Sequence, residues 1–210
     1  NTFYTHEVSS FTYTSGPYAG RQIAFQCNGG QGFRVLDVTN KSSIVQMDLV
    51  TYPNLGYCHQ TRLTEDRRFA YMNDEFDESN FNLPSTGHIF NIEDLNNVVY
   101  VGTFTNGNSA IDHNMYVKGN YLYSSNYTSG LRVYDITNPV APVEVAWIDT
   151  HPANDSKVYE GNWSNYPWLP SGIILISDIN EGFIIARLNL DRLNFEFPSG
   201  TPAMIGPAGT

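Results

Sequence analysis

Between Ile111 and Thr150 the chain passes through four short apolar segments, MYV, YLYSS, LRVYDI and VEVAWI. A turn signal separates each from the next: Gly119-Asn120, Ser129-Gly130 and Asn138-Pro139. Each segment is rich in Val, Ile and Tyr, has the length of a strand, and is too short for a helix. Four antiparallel strands in about 40 residues make one small sheet, which cannot bury both faces by itself. It needs further sheets stacked on either side, so a chain built this way must repeat.

The repeat is visible in the histidines. His6, His59 and His113 lie 53 and 54 residues apart, and Asn162 follows 49 residues on. Third-strand segments also align: FRVLDVTN, HIFNIEDL, LRVYDITN and FIIARLNL alternate apolar residues and close on Asp or Asn. A four-strand repeat of this length predicts an all-β chain, a β-propeller of four blade-like four-stranded repeats. The blades are expected at about 6–58, 59–112, 113–161 and 162–197, with 198–210 a Pro/Gly-rich tail. LNFEF is the candidate fourth strand of blade four. Four blades could close as a small ring, with NTFYT (residues 1–5) supplying that outer strand, or form part of a larger ring. A β-sandwich does not account for the recurring Asp-Val/Ile-Thr-Asn turn, and no Gly-His…Trp-Asp pair of the WD40 type recurs.

Composition narrows the function classes. With 11 basic against 21 acidic residues the net charge is −10, which disfavours nucleic acid and anionic membranes as partners. No apolar run is long enough to span a membrane and no signal peptide is evident. Beginning at Asn1, the chain reads as a mature or trimmed product. Asn-X-Ser/Thr sequons at Asn40, Asn126, Asn154 and Asn162, together with two cysteines, lean towards a secreted or cell-surface glycoprotein carrying N-linked glycans. Asn40 and Asn126 fall at expected inter-strand turns and are the stronger acceptors; Asn162 faces the crowded channel.

The pieces YPNLGYCHQTRLTED, AYMNDEFDE, AIDHNMYVKGNYLYSSNYTSGLRVYDI and WSNYPWLPSGIILISDINEGF resemble the choice-of-anchor B family. That family comprises surface or secreted proteins related to LVIVD-repeat propellers. The resemblance runs through roughly residues 4–190 and matches the family's C-terminal portion. It implies a propeller in an extracellular setting and supplies no catalytic residues. Cys27 and Cys58 replace other residues of many bacterial members, which hints at a eukaryotic branch.

In a propeller the first strand of each blade lines the channel, and the end of the second strand shares its face. Cys27 and Cys58 would then meet across the first blade boundary, as a disulfide or as two buried thiols; a disulfide is expected. Asp74, Glu75, Asp77, Glu78 and Asp112 converge near the same face, either as solvated or turn-capping acids or as oxygen ligands for Ca²⁺. Asp178 and Glu181 follow the second strand of blade four. His6, His59 and His113 would ring the channel mouth, bonding neighbouring blades or binding a metal. Tyr159, Trp163, Tyr166 and Trp168 read as blade-to-blade packing or as a sugar-stacking platform. No G-x-S-x-G, P-loop, G-x-G-x-x-G or H-E-x-x-H motif occurs. The expected function is therefore a structural or protein-interaction module that pairs with other chains or with copies of itself, extending to filaments. The rivals are a metal-dependent hydrolase or lyase at the channel mouth and a carbohydrate-binding module.

Overall fold

The computed structural model describes residues 4–189, 191 and 194–197; the tail at 198–210 lies outside them. Blade one comprises β1 (Glu7–Thr12), β2 (Gln22–Cys27), β3 (Phe33–Asp37) and β4 (Val45–Val50). Blade two holds β5 (Cys58–Leu63), β6 (Phe69–Asp74), β7 (Thr86–Asn91) and β8 (Val99–Thr105), with a short helix, α1 (Asp77–Phe81), between β6 and β7. Blade three is β9 (Asn114–Lys118), β10 (Tyr121–Ser125), β11 (Leu131–Asp135) and β12 (Val143–Ile148). Blade four is β13 (Asn162–Tyr166), β14 (Ile173–Asp178), β15 (Gly182–Asn189) and β16 (Asn194–Glu196). Every sheet is antiparallel with its strands in chain order. The outer strand of blade four is β16, within the LNFEF segment, paired to β15. The place reserved for NTFYT is therefore taken, and of that segment Tyr4 and Thr5 lie outside any strand.

Local chemistry explains why the blades look alike. The residue ending each third strand is Asp37, Asn91, Asp135 or Asn189. Each accepts the backbone N–H two residues on, at 2.9, 2.9, 2.7 and 3.1 Å. These Asx turns start the reversal into the fourth strand, and the side chains of Thr39 and Thr137, with their backbone N–H groups second, hold the Asp37 and Asp135 carboxyls below their ordinary range. Blades one to three also share a register shift in mid third strand, at Val35/Leu36, Ile89/Phe90 and Val133/Tyr134. Such bulges increase the twist of the outer hairpin.

First strands pack side by side, β1 on β5, β5 on β9 and β9 on β13, lining a common axis. Three apolar cores follow, one per junction. Phe25, Phe33 and Ile23 meet Met72 and Phe90 between blades one and two. Tyr71, Ile89 and Phe104 meet Met115, Leu122 and Tyr134 between two and three. Leu131, Val133 and Tyr123 meet Ile174, Ile176 and Ile184 between three and four. Among the described residues no such core joins blade four to blade one: the four blades form an open arc.

Candidate functional site

The residues that meet at the channel mouth come from equivalent places in successive blades. The first residue after the second strand is Asn28 in blade one, Glu75 in blade two and Asn126 in blade three. In blades one and three this residue opens a tight turn, closed by Asn28 N–H to Gly32 O (3.1 Å) and Asn126 N–H to Gly130 O (2.9 Å). The next residue clasps the following blade with two backbone hydrogen bonds. Gly29 pairs with Cys58 (3.1 Å each way) and Tyr127 with Asn162 (3.1 and 2.9 Å). That clasp needs a left-handed backbone, φ 57° at Gly29 and 39° at Tyr127. Glycine adopts it freely, whereas at tyrosine it costs about 1–2 kcal/mol. In blade two the same turn expands to carry α1, and Glu75 replaces the asparagine.

Rings from the start of each blade stack across the mouth. His6, His59, His113 and Trp163 succeed one another with centroid separations of 4.4 Å at each step. His59 Nδ1 lies 3.0 Å from the carbonyl of His113, and His113 Nδ1 lies 2.6 Å from the carbonyl of Trp163. A carbonyl only accepts, so each Nδ1 carries the proton and each neutral ring keeps its lone pair on Nε2. Asn114 Nδ2 donates to the same Trp163 carbonyl at 3.0 Å and also lies 2.9 Å from His113 Nδ1, where two donors meet when Nδ1 carries its proton. Burial pushes His59 down to about 2 and His113 to about 4, with neighbouring His charges adding to the effect.

Both Nε2 atoms face Glu75. His59 Nε2 is 3.7 Å from Oε2 and His113 Nε2 is 3.5 Å from Oε1. The Tyr127 hydroxyl donates to Oε1 at 2.7 Å. Burial holds the Glu75 carboxyl above its ordinary value, and the tyrosine bond partly offsets this. Among the described residues, His59, Glu75 and His113 are the set of three His, Cys, Asp or Glu side chains whose ligand atoms all lie within 4.8 Å of one another. His6 stands beside this set and is exposed. Its Nδ1 is held by the hydroxyls of Tyr57 (3.0 Å) and Tyr4 (3.3 Å).

Each of the acids expected near a Ca²⁺ has protein partners, and Asp77, Glu78 and Asp112 lie close enough to act on one another. Asp74 is saturated as a turn acceptor by Tyr52 Oη (2.8 Å) and the backbone N–H groups of Gly56 (2.8 Å), Tyr57 (2.5 Å) and Phe76 (3.2 Å). Asp77 pairs with the buried His88 at 2.9 Å. Glu78 Oε1 accepts the N–H groups of Thr86 and Asp112, at 3.0 and 3.2 Å, and ties the long turn to blade three. Burial, and after it the charges of Asp112 and Asp77, push Glu78 up to about 12. Asp112 accepts from Asn73 Nδ2 at 2.5 Å. Asp178 accepts the N–H groups of Asn180 and Glu181, both at 2.9 Å, again as a turn acceptor.

Two further expectations need correction, and the aromatic set follows blade-to-blade packing, the first of its two readings. Cys27 and Cys58 adjoin across the first boundary as predicted, but as free buried thiols, not as a disulfide. Cys27 Sγ lies 2.9 Å from Thr61 Oγ1, and burial with the adjacent Cys58 holds its thiol well above the ordinary range. Asn126 and Asn162 are 2% and 0% exposed because they build the third blade clasp, so neither side chain can carry a glycan in the fold. Asn40 and Asn154 are exposed. The four aromatic residues do not make one platform. Tyr159 and Trp163 pack on Tyr127, whereas Tyr166 and Trp168 pack on each other and, through Trp168, on Tyr116. Sequence reasoning placed His59 and His113 and listed Glu75 among the acids, but it missed Tyr127. The signal for it was a tyrosine in NYTSG where the first blade has glycine.

The LVIVD repeat model matches residues 113–150, the whole of blade three with its entry and exit. No curated protein is significantly similar in sequence. A crystal structure of a protein from Lactobacillus plantarum superposes with a TM-score of 0.68 at 14% identity, over 92% of this chain and 54% of that one. The chain thus spans about half the length of that relative, and the likeness is one of fold. Four four-stranded sheets about a common axis and an LVIVD repeat in the third make this chain an all-β, propeller-like repeat domain.

Proposed function

We propose that this chain is an extracellular interaction module, an arc of four blades whose end blades pair with a second chain or with copies of itself. The open arc carries this reading: three junctions have an apolar core and the fourth has none among the described residues. Blade four points one face of its sheet at blade three and leaves the other bare. The pairs Tyr166–Leu175, Leu175–Ile185 and Ser177–Phe183 share that bare face, where Phe183 is 64% exposed and Tyr166 46%. Apolar surface of this kind on a sheet is normally covered. Coverage of only 54% of the crystallised relative is consistent with blades supplied from elsewhere. Sequons at the exposed Asn40 and Asn154 support the extracellular placement.

Sedimentation velocity with an apolar-surface dye tests the assembly. A discrete oligomer or filament that Phe183→Asp dissolves supports pairing between copies, and a dye-binding monomer supports a second chain. A compact monomer without dye binding overturns the proposal. Glycopeptide mapping after secretory expression checks the setting: glycans are expected on Asn40 and Asn154, and unmodified asparagine at both removes its support.

A further inference from the structure

The geometry points to a binding site for one divalent transition-metal ion of the zinc type, held by His59 Nε2, His113 Nε2 and the Glu75 carboxylate between blades two and three. Repeat structure accounts for only half of each histidine. The Nδ1–H groups are used in bonding the next blade's carbonyl, at 3.0 and 2.6 Å. Those same bonds leave two Nε2 lone pairs aimed at one carboxylate, 3.7 and 3.5 Å away.

Lone pairs facing carboxylate oxygens repel unless a cation stands between them. Among the described residues only Tyr127 donates to Glu75, and it serves Oε1; no donor reaches Oε2. A second-row partner that fixes the ring through Nδ1 is the usual arrangement behind a metal-bound histidine. Bonds of about 2.0–2.1 Å at a tetrahedral centre set ligand atoms about 3.3 Å apart. The two histidine–carboxylate spacings are slightly wider, and all three ligand atoms lie within 4.8 Å of one another, so an ion would draw the three inward by side-chain movements.

The carboxylate is specific to this junction, because the equivalent residues are Asn28 and Asn126. Tyr127, which orients it, occupies a left-handed position that blade one gives to glycine, and so keeps its place at a cost in backbone energy. Two imidazoles and one carboxylate suit zinc and its first-row neighbours and are a poor set for Ca²⁺ or Mg²⁺. Side chains exposed by 6%, 3% and 12% keep bulk water from competing.

The test is titration of chelator-stripped chain with ZnCl₂ by calorimetry, and with CoCl₂ by visible absorption and NMR. One equivalent is expected, with d–d bands and paramagnetically shifted ring protons from two histidines. Glu75→Gln and His59→Gln should lose the one-equivalent site, and Tyr127→Phe should weaken it about 10–100-fold. His151→Gln, at the half-buried His151 paired with the exposed Glu160 (3.4 Å), should change nothing. Melting curves in chelator show whether the variants fold, and the cobalt signature of the unaltered chain decides the matter if they do not. Absence of a one-equivalent site, no shifted histidine pair, or loss of binding in His151→Gln alone overturns the assignment.

Discussion

Where blade one hands over to blade two, the turn after the second strand is Cys27–Gly32, and its surroundings are apolar or thiol-bearing. Phe33 follows it, packed at 6.2 Å from Phe25 and 5.2 Å from Phe90, with Cys27 and Cys58 buried beside them. Where blade two hands over to blade three, the same position opens into Glu75–Ser85 and fills with Asp77, Glu78, His88 and Asp112, all buried. Backbone topology is equal at the two junctions; the material at the channel-side end is opposite. The first is held by transfer of carbon out of water, which gives a rigid clasp without chemistry. The second buries charge, which is costly unless each group is paired or neutralised. A repeat can therefore change one turn from apolar to acidic without altering the order of strands in the blade.

The largest effect that tests this contrast is Phe33→Ala. Deleting a fully buried phenyl from the first junction should cost about 3–5 kcal/mol, read as a shift of the urea midpoint. Glu75→Gln at the second junction keeps the Tyr127 acceptor and should cost less than about 1 kcal/mol in chelator. Comparable losses would erase the distinction. Next comes Glu78→Gln, which should stabilise. Burial and the Asp112 and Asp77 charges raise the folded Glu78 carboxyl well above the unfolded value of about 4.3, so its contribution is complete below that pH and erodes as pH rises towards the folded value. A glutamine keeps Oε1 as acceptor for Thr86 and Asp112 and donates towards Asp77 without needing a proton. We expect a gain of about 1–2 kcal/mol at pH 8 and a flatter stability profile from pH 5 to 8, with the limit for one proton about 1.4 kcal/mol per unit. An unchanged slope would mean that Glu78 is ionised in the fold.

The repeat was legible because its signals are local. Asp37, Asn91, Asp135 and Asn189 announce their turns through their own side chains, and strand length follows from residue type. His59 and His113 were legible by spacing. The direction of their Nε2 atoms was not, since it depends on which carbonyl takes Nδ1–H, a contact made 54 and 50 residues away. Asn126 misled because a turn between strands normally faces water; here the turn is the clasp, as Asn28 already showed in blade one. The acids were grouped by the face that ends of second strands share with starts of first strands; their partners were not legible, since the long turn folds Asp77 towards His88 and sends Glu78 to the backbone of Thr86 and Asp112.

Tyr127→Phe gives a smaller effect on the same comparison. Among the described residues the hydroxyl's bond to Glu75 is the one polar tie from the third turn to the second, and its loss should cost about 1 kcal/mol without metal. A hydrogen-exchange profile should loosen around Glu75 and leave Cys27–Gly32 unchanged.

The smallest expected effect is none, and it probes the first junction. A disulfide closing the loop from Cys27 to Cys58 would add about 3–4 kcal/mol in the loop-entropy account, and reductant would then lower the urea midpoint. With two free thiols, reductant should leave the midpoint where it is. Proximity alone does not oxidise such a pair: the attacking species is the thiolate, and burial with the adjacent Cys58 holds the Cys27 thiol well above its ordinary range, the Thr61 contact offsetting only part of this. Alkylation should therefore label neither cysteine in the native chain and both in urea, without prior reduction. A reductant-dependent midpoint, or labelling only after reduction, would mean that the first junction is closed by a bond and that the contrast with the second is one of covalent chemistry.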